Sequence, residues 1–406
     1  MMQSTVNNRL ERPMSADMPS GWTSGEEDMT GDNAEVVIIG AGLVGATTAY
    51  FLARQGIKSV VVERDAIGSH ASGFSYAALG TYDEAGMTGT HFDVASHGMR
   101  LHAELADALL EETGVNVEFR KRPSLVLAFD EEEADAARNP QGFDLDRRSW
   151  EDKQGYSMRW LDRDETLRIE PRVGPEAVGA AYTEGTTDVN AYRLTLALAM
   201  AAEKRGAVMR QGSVTGLVRE GGRVRGLLVD GTELSCDKVV VAMGPWSQGA
   251  SDWLGIPIQM QPWKGQILRL RLPGPPIRTS VAGGDHFAST KPDGLTWVGP
   301  TFEDAGLDES ITDEGRNEIM SAVLRNIPSL AEGDLVLQTA CIRPLSADRK
   351  LVLGKAPGLE GAYVATGGGR LGLMMGPAMA WLMAELIAND TTSISLAEFD
   401  PGRFTV

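Results

Sequence analysis

The sequence predicts a mixed α/β fold, in which a parallel nucleotide-type sheet is intertwined with a second, mixed and largely antiparallel sheet. Three observations predict it. Four β-branched residues, Val36-Val37-Ile38-Ile39, run straight into the G-x-G-x-x-G turn Gly40-Ala41-Gly42-Leu43-Val44-Gly45. A second buried-type strand, Val239-Val240-Val241-Ala242, ends at Gly244-Pro245-Trp246-Ser247, so the parallel sheet resumes far along the chain. Residues 256–300 alternate apolar and polar side chains with frequent turns, which is the pattern of antiparallel strands.

The first unit is the most specific. Leu43, Ala46, Tyr50 and Ala53 share one helical face after the glycine turn, and Val60-Val61-Val62 then form a strand that ends on Glu63. Gly40 permits the tight turn, Gly42 lets the backbone meet a pyrophosphate, and Gly45 lets helix and strand pack closely. The helix N-terminus offers free N–H groups and a positive dipole end to phosphates. Glu63 stands 18 residues after Gly45, close to where a ribose-binding carboxylate belongs. Together these parts predict a Rossmann-type dinucleotide site.

The following elements are read in order. The small-residue loop Gly68-Ser69-His70-Ala71-Ser72-Gly73-Phe74-Ser75 suits close approach to a bulky ligand, or an ordinary surface turn. Leu101, Leu105 and Leu109 predict a helix from Arg100 to Glu112, and a strand follows over Ser124 to Phe129. Residues 130–155 are charged and read as an exposed excursion. Asn190 caps a helix over Ala191 to Arg205, closed by Gly206. Three short strands come next, around Ala207–Leu217, Val224–Val229 and Thr232–Ser235. Glu220-Gly221-Gly222 and Asp230-Gly231 turn between them. Thr312 caps a helix that ends before Pro328. The last segment is a strand Ala362–Ala365, a loop Gly367-Gly368-Gly369, and an apolar helix from about Pro377, a residue suited to a first helical turn.

A chain of 406 residues has room for about two domains and an ample core. A net charge of -18 argues against nucleic acid and anionic membrane surfaces as partners. Cys236 and Cys341 make no disulfide framework, which fits a reducing, cytoplasmic location. Residues 1–33 are polar and read as a disordered tail. Leu371 to Ala388 is membrane-like in hydropathy but holds Gly372, Gly376, Pro377 and Glu385, so it reads as a buried helix and not as a membrane span. His91, His97, His102 and His286 show no metal spacing and read as ordinary polar residues. The expected division is 34–90, 182–250 and 335–395 for nucleotide binding, with 91–181 and 251–334 covering the substrate.

The motifs, taken in order, resemble the FAD-dependent D-amino-acid oxidase superfamily, in its glycine oxidase and sarcosine oxidase-like branch. The resemblance rests on the glycine turn with Glu63, Ser72-Gly73, Thr187-Asp188-Val189, and Ala242-Met243-Gly244-Pro245-Trp246-Ser247. It continues through Pro262-Trp263-Lys264-Gly265-Gln266, Val298-Gly299-Pro300-Thr301 with Glu303, and Ile342-Arg343-Pro344-Leu345-Ser346-Ala347-Asp348. It closes on Gly367-Gly368-Gly369-Arg370-Leu371-Gly372-Leu373-Met374. The resemblance implies FAD rather than NAD. It also implies oxidation of a C–N bond next to a carboxylate, by hydride transfer to flavin N5. The product would be an imine that hydrolyses to an oxo acid. Glycine, sarcosine or a D-amino acid is the implied kind of substrate, with oxygen as acceptor. A dehydrogenase or complex subunit that passes electrons to a quinone or carrier is the alternative, and a non-catalytic flavin-binding module is a third.

The implied cofactor residues are Gly40, Ala41, Gly42, Leu43, Val44, Gly45, Glu63, Arg64, Ser72, Gly73, Ser75, Val214, Gly244 and Trp246, with Gly369, Arg370, Leu371, Gly372, Leu373 and Met374. Arg343 matches the position that pairs with the substrate carboxylate, and Arg370 matches a second arginine of glycine oxidase. An Arg fork suits a carboxylate, although an ion pair between Arg343 and an acid such as Asp348 is the alternative. The dipole of the last long helix would stabilise the N1–C2=O edge of reduced flavin. Cys341 stands where monomeric sarcosine oxidase has its flavin-bonding cysteine. A buried, inert thiol and a non-covalent flavin are expected here. Relatives with a histidyl-linked flavin carry the linking histidine near Tyr76, and this chain lacks it. An oligomer is compatible with all of this.

Overall fold

The computed structural model describes residues 34–80, 89–138 and 158–405. The tail 1–33 and the part of the charged excursion from 139 to 155 lie outside the described residues. The mixed α/β fold is the one observed, built on two sheets.

The first sheet has eight strands. At its centre β1 (Ala34–Ile39) pairs in parallel with β2 (Ser59–Glu63) on one side and with Thr232–Val241 on the other. Ala362–Thr366 and Val208–Gln211 extend it in parallel, and Val352–Lys355 closes one edge antiparallel. Val36 to Ile39 of β1 are all apolar because both faces of the strand are covered there. Val36 and Ile38 enter one core, with the helices α1 (Leu43–Arg54), α2 (Gly89–Thr113), α3 (Ala191–Lys204) and α5 (Gly372–Asn389). Val37 and Ile39 enter a second core, with Leu227, Leu234, Leu254 and Ile256.

The second sheet has nine strands. Asp334–Arg343 and Trp263–Arg271 run antiparallel at one end, with Arg343 opposite Trp263. Thr296–Gly299, His286–Thr290, Ser280–Gly283, Arg120–Ala128 and Gly179–Asp188 follow in order. Helix α4 (Asp313–Asn326) buries Ile319 and Val323 against Leu268, Val281 and Val298 of this sheet. Thr312 Oγ1 caps it by accepting the Gly315 N–H at 3.0 Å, and Asn190 Oδ1 caps α3 through the Arg193 N–H at 3.1 Å.

Several elements differ from expectation for identifiable reasons. Thr232–Ser235 and Val239–Ala242 are one strand. Its first half makes an antiparallel ribbon with Arg223–Val229, and its second half enters the parallel sheet. The stretch Ala207–Leu217 is two strands, broken at Gly212-Ser213, where Asp230 Oδ1 accepts the Ser213 N–H at 3.1 Å. Helix α2 begins at Gly89, eleven residues before the expected Arg100. Its polar and glycine-bearing start, His97-Gly98 included, hides the apolar face in the sequence. The expected division puts this helix among the covering segments, but it packs into the first core. It puts residues 182–188 and 335–343 with nucleotide binding, but they are strands of the second sheet. Helix α5 starts at Gly372, so Pro377 lies inside it and not in its first turn. The stretch Gly369–Asn389 is long and apolar enough to cross a membrane, and most of it is buried inside the fold.

Candidate active site

A cavity of about 390 Å³ lies between the C-terminal ends of the parallel strands and the second sheet. Its floor begins at the glycine turn. Gly40 has φ +107°, and a Cβ there would sit 2.5 Å from the Ala242 carbonyl oxygen. A Cβ on Gly45 would lie 1.9 Å from the Gly40 oxygen, so that glycine serves the turn itself. Gly42 starts α1 with no side-chain cap and faces the cavity. The Leu43 N–H donates to Ser72 Oγ at 2.9 Å, which ties the small-residue loop to the turn. Glu63 reaches back under the turn: Oε2 accepts the Ala41 N–H at 2.8 Å and Oε1 the Asp65 N–H at 2.9 Å.

Most of the expected cofactor residues meet at this one cavity. Gly40, Gly42, Leu43, Val44, Glu63 and Arg64 line it, as do Ser72, Ser75, Val214, Gly244 and Trp246. Gly369, Arg370, Gly372 and Leu373 line its other end. Ala41, Gly45, Gly73, Leu371 and Met374 do not line it. Ala41 acts through its N–H on Glu63, and a Cβ on Gly73 would collide with the Gly68 oxygen at 2.1 Å. Met374 is core. The cradle fits a dinucleotide: a helix N-terminus with glycine at its N-cap, a glycine-rich turn, and an acid beyond it.

The covering wall brings Gly265, Ile267, Phe287, Pro300, Cys341 and Arg343 to the same space. Arg343 is half-buried. Its Nη1 donates to the Lys264 carbonyl at 3.1 Å, its Nη2 donates to the Thr301 carbonyl at 3.2 Å, and its guanidinium lies 4.7 Å from the Phe302 ring centroid. Arg343 makes no salt bridge among the described residues. Asp348, the acid offered as its alternative partner, is held instead by Arg403 at 2.8 and 3.0 Å. Burial opposes the Asp348 charge, yet Arg403 and the Lys350 N–H lower its pKa to about 2. Arg343 is itself pushed down by burial and by the charge of Arg370. Arg370 lies 5.3 Å from the same Phe302 ring and 3.8 Å from Asp285. The Cys341 thiol is buried and pushed up to about 11, so it is protonated at neutral pH and a weak nucleophile.

Three features escaped sequence reasoning. A Cβ on Gly265 would stand 2.2 Å from Arg343 Nη2, so this glycine makes the room in which the guanidinium lies. The motif Pro262–Gln266 contained it, without a hint of its partner. His70 lines the cavity, with Nδ1 2.8 Å from Glu309 Oε2, Nε2 2.9 Å from Asp65 Oδ2, and its ring centroid 4.6 Å from Trp246. Burial works against its charge, but the bonds to Glu309 and Asp65 outweigh it and raise the pKa. Asp188 of the Thr187-Asp188-Val189 motif anchors a buried ion cluster with Arg122 at 2.5 Å and Lys291 at 2.8 Å. Lys291 Nζ lies 4.3 Å from the ring centroid of Tyr76, whose hydroxyl donates to Ser289 Oγ at 2.6 Å. Burial pushes Lys291 down to about 8 and Tyr76 up to about 12.

Comparison with known proteins agrees with this geometry. The family model DAO, FAD dependent oxidoreductase, matches residues 35–386. The chain is 28% identical over 367 residues to glycine oxidase of Geobacillus kaustophilus, a match spanning 90% of this chain and 96% of that one. It is 26% identical over 407 residues to hydrogen cyanide synthase subunit HcnC of Pseudomonas aeruginosa, spanning 91% and 96%. The fold superposes on iminodiacetate oxidase of Chelativorans sp. with a TM-score of 0.83 at 26% identity, covering 90% of this chain and 99% of that one. The ordered motifs, the cavity they build and a match over most of the chain lead to one conclusion: the chain belongs to the DAO family of FAD-dependent oxidoreductases, and FAD is its cofactor.

Proposed function

We propose that this oxidoreductase oxidises the C–N bond of a small amino acid or secondary amine, with Arg343 holding the substrate carboxylate. The carrying observation is a half-buried guanidinium in the cavity wall that forms no salt bridge among the described residues, while Asp348, the acid offered as an alternative partner, is held by Arg403. Such a charge favours a carboxylate ligand, because a pair of charge-assisted bonds offsets its desolvation. Relatives named glycine oxidase and iminodiacetate oxidase support the same substrate class.

The cofactor cradle in this reading is Gly40–Gly45, Glu63, Arg64, Ser72, Ser75, Val214, Gly244 and Trp246, with Gly369 to Leu373 at the far end. FAD, when bound, supplies the two-electron acceptor. This chain supplies the rest. Arg343 fixes the carboxylate, with Arg370 as a second cation near the same ring. Ile267, Phe287 and Tyr76 give the space apolar walls that exclude water. Tyr76 and Cys341 are both held protonated by burial, and His70 is bonded at both nitrogens to carboxylates. None of these three is a free base at neutral pH, so the substrate amine is neutral when it reacts. The resulting kcat/KM rises with pH toward the substrate's own ammonium pKa.

The test is anaerobic mixing of the yellow holoenzyme with a panel of amines and D- and L-amino acids. A small carboxylate-bearing amine bleaches the flavin, and acid precipitation of the protein then leaves the flavin in solution. Bleaching only by substrates without a carboxylate contradicts the reading, and colour retained in the pellet contradicts a non-covalent cofactor. A second reading, in which electrons pass to a carrier, is favoured by the HcnC relative, which is a subunit by name. Reoxidation of the bleached enzyme by air, compared with a quinone, separates the two. The free cysteines Cys236 and Cys341 support a cytoplasmic location, which cell fractionation checks.

A further inference from the structure

Pro377 sits in the second turn of α5 and has no N–H. In a regular helix that N–H would serve the carbonyl four residues earlier, which is Leu373. The Leu373 oxygen has a different partner here: His102 Nε2, 2.9 Å away. A carbonyl can only accept, so Nε2 carries the proton. His102 lies on α2 and is 1% exposed, and burial holds its pKa down at about 4, so the ring is neutral. Its Nδ1 is buried with no hydrogen-bond partner among the described residues. The fold therefore tolerates one unsatisfied nitrogen while the other serves the first turn of α5, through the Leu373 carbonyl and with the Met374 backbone also in reach.

A second observation points to the same place. Gly98 lies one turn before His102 on the same face of α2. A Cβ at Gly98 would stand 2.2 Å from the Met374 oxygen. Thus α2 comes into backbone contact with the first turn of α5 at Gly98 and bonds to it at His102. Gly372 and Leu373 of that turn line the cavity.

We infer that His102 is a positioning residue for the flavin: its Nε2–H replaces the missing Pro377 N–H on the Leu373 carbonyl and fixes the direction in which the first-turn N–H groups of α5 face the cavity. This rests on the proposed placement of the flavin ring beside α5. A helix N-terminus stabilises negative charge within its first turn, and a loosened turn stabilises it less. His102 therefore acts on the electron affinity of the bound flavin without touching it.

The test uses holoenzyme variants and two readouts other than turnover: the midpoint potential of the bound flavin, and the dissociation constant of sulfite, whose adduct is anionic. His102→Leu is expected to keep FAD. It should shift the reduction equilibrium roughly three- to tenfold toward the oxidised form, about 15–30 mV for two electrons, and weaken sulfite by a similar factor. His102→Gln, whose amide donates from a similar reach, should recover most of the shift. So should Pro377→Ala added to His102→Leu, because it returns a backbone N–H to Leu373. If His102→Leu does not fold, the double variant and His102→Gln are compared with wild type, and values within about twofold support the inference. A His102→Leu potential equal to wild type overturns it, and so does a double variant no better than His102→Leu. The placement is tested separately by Gly42→Val: FAD content unchanged in that variant would refute the placement, and this inference with it.

Discussion

Arg343 and Gly265 show how one residue makes room for another's chemistry. They lie diagonally on neighbouring strands, Gly265 opposite Cys341 and Arg343 opposite Trp263, and the missing Cβ of Gly265 is the space the guanidinium fills. Gly265→Ala should therefore expel the Arg343 fork while leaving both strands paired. The expected result is a rise in KM and a fall in kcat/KM of roughly tenfold or more for a carboxylate substrate, from loss of a charge-assisted bond worth about 1.5–3 kcal/mol. FAD content and melting temperature should change little, and steady-state kinetics beside a flavin spectrum check it. The sequence marks Arg343 by its place beside an apolar strand and Pro344, and the structure puts it in the cavity wall. The sequence does not mark Gly265 as its counterpart, because which glycine lies beside which arginine is set by strand register, and register appears only when the two strands pair. Ser72 and Glu63 lie at the other extreme. They flank a turn whose geometry its own glycines dictate, so both were readable in advance.

At the scale of elements, local signals held where one element could specify itself. The caps Asn190 and Thr312 work as the sequence indicates, since each needs only its own first turn. Pro377 reads as a first-turn residue because a proline inside a helix costs a hydrogen bond; here the freed Leu373 carbonyl is taken by His102, 271 residues from it in sequence. The loop that carries His70 depends likewise on a partner from the other layer. His70 joins Asp65, just after β2, to Glu309, just before α4. Its folded pKa is raised above the usual value near 6.5. The sign follows from linkage: the stabilisation is fully present below about pH 6.5 and is lost as pH rises through the raised folded pKa. The melting-temperature difference between wild type and His70→Asn should therefore be largest at mildly acidic pH and shrink on the alkaline side. A difference that grows with pH would mean that the ring is neutral in the fold and that the clamp is not ionic.

At the scale of the whole molecule, the chain passes repeatedly between the two sheets, and that weave forms the cavity. The mixed α/β architecture and the FAD cofactor were legible because strand–turn–helix units and their glycines recur in a fixed order. The assignment of whole segments to one sheet or the other was less so. Strands such as Gly179–Asp188 and Asp334–Arg343 carry the same apolar patterns whichever sheet they join. The central claim joins both layers: FAD lies in the cradle of the first sheet, and Arg343 of the second holds the substrate carboxylate over it. The most direct measurement is kcat/KM for wild type and Arg343→Met on a carboxylate substrate and on its ester or decarboxylated analogue. The expected result is a loss of roughly tenfold to a few hundredfold for the acid, little change for the analogues, unchanged FAD content, and only partial recovery in Arg343→Lys. Equal losses for acid and ester would contradict it, and would make Arg343 a structural residue of an enzyme that does not recognise a carboxylate.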